Sequence, residues 1–299
     1  MTLSRVGLGT VQFGQDYGIS NRRGQPSEAE VAAILARATT VGVGYLDTAF
    51  DYGAAEAIAG RHLPDGHGFR IVTKLPRIHA DAIDASHAGI TLDNLAGSLD
   101  RLRQRRVYAA LIHNVADLAK PGWQHLASAL QEAKRRGLVE KIGVSIYDPE
   151  DLALIEGRLE PELVQAPLNV LDRRLVTSGA LDRLKQRGVE VHTRSAFLQG
   201  LLLMTPAELP EFFAPIRPHI ANWRQWCKSA RLSVLAGCLA YVLGHRVIDA
   251  VIVGVNGDVE LRDIETAVAA SASAKVDFEP SPPPEQACID PRRWPATVH

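Results

Sequence analysis

Four residues have types and spacing suited to acid–base chemistry: Asp47, Tyr52, Lys74 and His113. A tyrosine phenol with a pKa near ~10 is a weak acid, and a neighbouring ammonium lowers that value by roughly 1 to 3 units. Lys74 is therefore expected to tune Tyr52 into a usable proton donor. A partly desolvated ammonium needs a counter-charge to stay protonated, and Asp47 can supply it. His113 would hydrogen-bond the oxygen that receives the proton, orienting it and stabilising developing negative charge. Such a set protonates a carbonyl oxygen; what it lacks is a hydride source, which must be a cofactor. Taken singly, each residue also has a structural explanation: Asp47 as a helix cap, Tyr52 as packing, Lys74 as a solvated charge, His113 as a hydrogen-bonded core residue. The chemistry requires the four to converge, and convergence depends on the elements that carry them.

Short apolar, β-rich runs recur at 5–10, 44–48, 70–74, 107–113, 141–145, 163–166, 189–194 and 249–255, each as continuous as a strand covered on both faces. Helical patterns lie between them. Ser27-Glu28-Ala29-Glu30 reads as a capping box ahead of Val31, Ile34 and Leu35, with Gly42 as the stop. Leu92, Leu95, Leu99 and Leu102 form a stripe behind Thr91; Trp123, Leu126, Leu130 and Ala133 form another, ended by Gly137. Asp148-Pro149-Glu150-Asp151 reads as N-cap, proline at the first helical position and acidic first turn. Eight strands separated by helices predict right-handed βαβ units, a parallel sheet and closure into a single α/β domain, a (β/α)8 TIM barrel. An open doubly wound sheet is disfavoured because Gly7-Leu8-Gly9-Thr10 is followed by Val11-Gln12, without the third glycine of the dinucleotide fingerprint. In a barrel the C-terminal strand ends form the active face, and that is where Asp47, Lys74 and His113 stand, with Tyr52 in the loop after strand two.

The barrel is expected over 1–274, and 275–299 as a Pro-rich tail: Pro280, Pro282, Pro283, Pro284, Pro291 and Pro295 forbid a regular helix. The stretch 205–226 is too long for a plain loop and reads as an active-site lid or an inserted helix. With 33 Lys plus Arg against 34 Asp plus Glu the net charge is −1, an ordinary globular balance that argues against disorder and against a nucleic-acid partner. No apolar run approaches the ~18 residues of a membrane span and the N-terminus lacks a signal-peptide pattern, so no membrane partner and a cytoplasmic location are expected. Cys227, Cys238 and Cys288 are too far apart to suggest a zinc site, and no metal is expected.

Asp47-Thr48-Ala49-Phe50-Asp51-Tyr52-Gly53-Ala54-Ala55-Glu56, Val72-Thr73-Lys74, Leu111-Ile112-His113-Asn114, Gly143-Val144-Ser145 and Val164-Gln165 together resemble the ordered signature blocks of the aldo-keto reductases, from about Val6 to about Ala270. That resemblance implies a nicotinamide cofactor, NADP or NAD, bound without a Rossmann domain. It implies a catalytic tetrad of Asp47, Tyr52, Lys74 and His113, and a carboxamide held by Ser145 and Gln165. Gly9, Thr10, Ser195, Leu198, Gly200, Gly254, Asn256 and Glu260 are further expected at the cofactor. Three positions depart from the family pattern. Ile146 replaces a frequent Asn, and Arg194 stands where many relatives place a stacking Tyr, a role its planar guanidinium can fill. The usual N-terminal hairpin is not evident ahead of strand one.

Strand eight runs through Val253-Gly254-Val255-Asn256-Gly257 into a helix carrying Leu261, Ile264 and Val268, a junction at which barrels often hold phosphate. The cofactor's adenosine end is expected there; Asp258 disfavours a 2′-phosphate, and Arg262 is the one basic residue expected to reach back. Phe13, Phe50, Asn114 and Asn169 are candidates for the substrate pocket, with Gln12 and Trp223, a mixture that admits a sugar-like substrate. The expected activity is NAD(P)H-dependent reduction of a small-molecule aldehyde or ketone, or its reverse; oligomeric state is not indicated. A cofactor-sensing regulatory protein on the same barrel is the alternative, disfavoured by the intact proton-donor set. A Schiff-base aldolase using Lys74 and a metal-dependent hydrolase are weaker still, the latter because strand one ends in Gly9-Thr10 without His-x-His.

Overall fold

The computed structural model describes residues 3–272 and 274–296. Eight parallel strands close into a barrel in sequence order: β1 (Val6–Gly9), β2 (Tyr45–Asp47), β3 (Arg70–Leu75), β4 (Val107–Ile112), β5 (Val139–Ser145), β6 (Leu163–Pro167), β7 (Glu190–Arg194) and β8 (Ala250–Gly254). After β1 come α1 (Val11–Gly14) and α2 (Glu28–Thr40), and after β2 and β3 come α3 (Ala55–His62) and α4 (Ala85–Leu102). Next are α5 (Trp123–Arg135), α6 (Asp151–Ile155), α7 (Arg174–Thr177) and α8 (Ala180–Gln186). Then α9 (Arg217–Ser229) and α10 (Val234–Gly244) precede β8, α11 (Asp258–Ser271) follows it, and α12 (Gln286–Ile289) is a single turn in the tail. The fold is a (β/α)8 TIM barrel, and β1 is its first strand among the described residues.

Inside the barrel, Tyr45, Val72, Ala109, Leu111, Leu163 and Ala250 pack as one buried layer, so the interior is filled and function is confined to the ends. Close approach of strands needs small residues: a Cβ at Gly143 would stand 1.9 Å from Leu163 O. The α2 capping box forms as expected, with Ser27 Oγ accepting from Glu30 N and the Glu30 carboxylate from Ser27 N.

Two helix starts differ from expectation. The helix expected behind Thr91 begins at Ala85, where Asp84 caps Ser86 N and His87 N and the His87 ring returns to Asp84 N; Thr91 lies inside it, donating to His87 O. Asp148 is not a cap: α6 starts at Asp151, whose carboxylate reaches back to Tyr147 N and Asp148 N. The Asp148 side chain instead ion-pairs with Arg174 and Arg292, where two guanidiniums outcompete a neutral N–H.

The stretch 205–226 contains most of α9, an inserted helix rather than a lid. Trp223 is fully buried and stacked on Trp226 at 5.2 Å; it is a core residue and not a pocket residue, because the insertion packs its aromatic face inward. The described part of the tail lies along this helix: His219 Nε2 is 2.7 Å from Pro282 O, Trp226 Nε1 donates to Asp277, and Trp294 meets Phe213 edge-on at 5.1 Å. Among the described residues no single helix is long and apolar enough to cross a membrane.

Candidate active site

Adjacent strands deliver the four acid–base residues to one spot at the C-terminal end of the barrel. Asp47 ends β2, Lys74 lies near the end of β3 and His113 follows β4, while Tyr52 is held by the turn into α3. Lys74 Nζ donates to Asp47 Oδ2 at 2.7 Å and to Thr48 O at 3.0 Å, with both side chains of the ion pair buried. The same ammonium lies 5.1 Å from the Tyr52 ring centroid, and the His113 ring meets Tyr52 edge-on at 5.9 Å. Asp47 Oδ1 accepts from Gln165 Nε2 at 2.7 Å, which ties β6 into the cluster.

The electrostatics correct one expectation. Burial first, then the Asp47 carboxylate, push the Tyr52 phenol above its ordinary value, opposed by Arg194. Desolvation outweighs the cationic charge nearby, so the phenol keeps its proton at neutral pH. Burial also draws Lys74 below the usual lysine range, against the pull of Asp47. His113 is pushed down to about 3, by burial and then by the Lys74 and Arg194 charges, which leaves a neutral imidazole.

Asp47, Tyr52 and His113 border a cavity of about 430 Å³ whose other walls include Gly9, Thr10, Arg194, Ser195, Gly200, Gly254, Asn256 and Glu260. Ser145 and Gln165 pair across β5 and β6 beside Asp47 but are not among its lining residues, and nor is Leu198, which is fully buried. The β7 loop is wound tightly: Ser195, Leu198 and Gln199 have φ values of 61°, 48° and 55°, followed by Gly200 at 86°. Asn169 braces this loop, its Nδ2 donating to Ser195 O and its Oδ1 accepting from Leu171 N and Asp172 N. A Cβ at Gly200 would strike Ser20 Oγ, so loop and β1–α2 connection close on each other.

None of the four substrate-pocket candidates lines the cavity. Phe13 is fully buried in the core, Phe50 lies under the Arg101 guanidinium at 4.7 Å, Asn114 holds Asp117 at 3.1 Å, and Asn169 is consumed by the loop brace. A loop aromatic can face either the core or the cleft, and here the core takes Phe13 while half-buried Phe50 packs under Arg101. The cavity is lined instead by Gln12, Tyr17, Tyr147, Phe197 and Ile252. Arg194 stacks one face of its guanidinium at 3.9 Å on Tyr147 and donates to Ile146 O, and it also lines the cavity. The Ile146 side chain is buried and offers the cavity no polar group.

At the β8 end, Asn256 N donates to the Glu260 carboxylate at 2.7 Å, and Arg262 is tied to Asp258 at 2.7 Å. The expectation that Arg262 alone can reach this end is corrected: Arg22 and Arg23 line the same cavity, and a Cβ on Gly257 would come within 2.8 Å of Arg23 Nη1. Around this cleft, five buried oxygens have no hydrogen-bond partner among the described residues: Thr10 Oγ1, Gln12 Oε1, Gln165 Oε1, Gln199 Oε1 and Asn256 Oδ1. Buried acceptors without donors are rare, and their clustering suits a ligand rich in hydroxyl and amide N–H groups, as a nicotinamide nucleotide is.

Residues 5–276 match the model of the Aldo/keto reductase family. L-galactose dehydrogenase from Arabidopsis thaliana is 24% identical over an alignment covering 100% of this chain and 95% of the relative. Among solved structures, the aldo-keto reductase AKR11C1 from Bacillus halodurans, in its holo form, superposes with a TM-score of 0.71 at 22% identity, covering 91% of this chain and 87% of that one. With a family match running over nearly the whole barrel, the chain belongs to the aldo/keto reductase family of carbonyl oxidoreductases.

Proposed function

We propose that the protein reduces an aldehyde or ketone to the alcohol, or runs the reverse oxidation, with NAD(P)H as cofactor and Tyr52 as proton donor. The observation that carries this reading is the buried Lys74–Asp47 pair beneath a protonated, cavity-facing Tyr52, with neutral His113 at its edge. A bound nicotinamide supplies the hydride to the carbonyl carbon. Tyr52 gives its phenolic proton to the carbonyl oxygen, and Lys74 stabilises the phenolate left behind. His113, being neutral, donates a hydrogen bond to the same oxygen without competing as an acid. Gln165 and Ser145 hold the carboxamide, the β7 loop from Ser195 to Gly200 takes the pyrophosphate, and Asn256 with Glu260 takes the adenosine ribose.

The pocket walls Tyr17, Tyr147, Phe197 and Gln12 combine ring faces with polar edges, which suits a polyol or aldose. The L-galactose dehydrogenase relative favours the same class. An aldolase reading is opposed by Lys74, 1% exposed with two acceptors on Nζ and away from the cavity wall. The test is a fluorescence titration with NADH and NADPH, followed by turnover on a panel of aldehydes, ketones and aldoses. Saturable cofactor binding with turnover of at least one carbonyl or aldose is expected. Binding without any turnover would favour the cofactor-sensor alternative, and absence of binding would overturn both.

A further inference from the structure

The barrel has a second cavity, of about 380 Å³, at the end opposite Tyr52, where the strands begin. Four cations line it, Arg5, Arg70, Lys141 and Lys185, against two carboxylates, Glu190 and Asp249, a surplus of two positive charges. Both carboxylates are already saturated. Asp249 takes Lys185 Nζ at 2.6 and 2.7 Å and Val191 N at 2.8 Å. Glu190 takes the Tyr45 and Tyr108 hydroxyls at 2.9 and 2.5 Å and Lys141 Nζ at 2.5 Å, with His192 Nε2 2.7 Å away.

Among the described residues, neither arginine has an acidic partner. Arg5 donates, among the described residues, to the carbonyls of Leu243 and Ile248 alone. Arg70 lies 3.9 Å over the Tyr45 ring and 5.6 Å from that of Tyr108, and makes no ion pair among the described residues. Stacking occupies the face of a guanidinium and leaves its in-plane N–H donors for an oxyanion, which a planar fork grips in bidentate fashion. Tyr45 is itself fixed by its hydrogen bond to Glu190, so the stacked cation is held in place before any ligand arrives, which lowers the ordering entropy that binding must overcome.

We propose that this cavity is a binding site for a phosphate group, free or at the end of a small molecule, held by Arg70 and Arg5. The surplus of two positive charges matches a phosphate at neutral pH, which carries roughly −1.5 to −2. The site is separate from the cofactor cleft: Arg70 opens β3, whereas Lys74 lies near its far end.

The test is calorimetric titration of the full chain with inorganic phosphate at low salt. Because Arg22, Arg23 and Arg194 line the other cavity, the assignment rests on Arg70→Gln, which should remove one binding event or weaken it at least ten-fold, whereas Arg23→Gln should leave that event unchanged. Acetate, a monoanion, should compete poorly. Independently of any variant, modification of Arg70 by phenylglyoxal, mapped by mass spectrometry, should slow several-fold with phosphate present. Phosphate binding that is unaffected by Arg70→Gln, absence of saturable heat, or an unprotected Arg70 would each overturn the proposal.

Discussion

Replacing Lys74 by Met keeps the side-chain bulk but removes the ammonium from a pair whose members are 1% and 5% exposed. Asp47 would keep Gln165 Nε2 as its side-chain donor, and Thr48 O would lose the Lys74 hydrogen bond. Breaking a buried pair from one side costs about 3–5 kcal/mol, because the survivor is a desolvated charge. In a chain of this length each kcal/mol moves Tm by about 2 °C, so a fall of roughly 6–10 °C is expected. Asp47→Asn strands the ammonium in the same way. The double variant removes both charges, so its loss should fall short of the sum of the single losses by about 2 kcal/mol, within the range found for contacting residues. Urea unfolding of the four proteins at neutral pH, with m-values compared, reads this coupling directly. Additive losses, to within ~0.5 kcal/mol, would refute the claim that the two groups form one electrostatic unit.

Three further outcomes are expected. With its pKa pushed down to about 3, His113 stays neutral in the fold while the unfolded chain protonates it below ~6.5. Its contribution is therefore full above that pH and is lost as pH falls toward 3, by at most about 1.4 kcal/mol per unit. His113→Gln should flatten the urea stability profile in that window, and an unchanged profile would contradict the burial argument. Glu260 and Asp258 at the start of α11 disfavour a dianion, so NADPH should be preferred weakly if at all, and Asn256→Arg should shift preference toward it by on the order of 1–2 kcal/mol; a wild-type preference above about 100-fold, some 2.7 kcal/mol, would mean that Arg22 and Arg23 form a phosphate site. Trp223→Ala should lose about 3–5 kcal/mol of stability with cofactor affinity unchanged, and an altered cofactor Kd in the folded variant would return the 205–226 stretch to a lid role.

The barrel was legible because strands such as β8 (Ala250–Gly254) and β4 (Val107–Ile112) are covered on both faces and read as apolar runs, and because helix stops such as Gly42 and Gly137 carry positive φ values of 74° and 71°. Asp47, Lys74 and His113 were legible because strand ends face the same way in a parallel barrel. Tyr17, Arg22, Arg23 and Tyr147 were not: they sit in connections whose path periodicity does not encode, and they reach the cleft only through tertiary folding. Phe13 and Trp223 show the converse, since an apolar residue near a loop carries no mark of which side it faces. The Asp84 cap was missed because its return partner is His87 rather than Glu or Gln. Asp148 fits a cap in sequence, but its side chain is taken by Arg292, 144 residues away.

The most direct test of the account is Tyr52→Phe, which removes one oxygen from a half-buried ring that borders the cavity. Carbonyl reduction should fall by at least the ~100-fold typical of general acid catalysis, while the dissociation constant for the nicotinamide cofactor stays within about two-fold, a change under ~0.5 kcal/mol. Retained turnover in that variant would contradict the account, because the proton would then come from somewhere other than Tyr52.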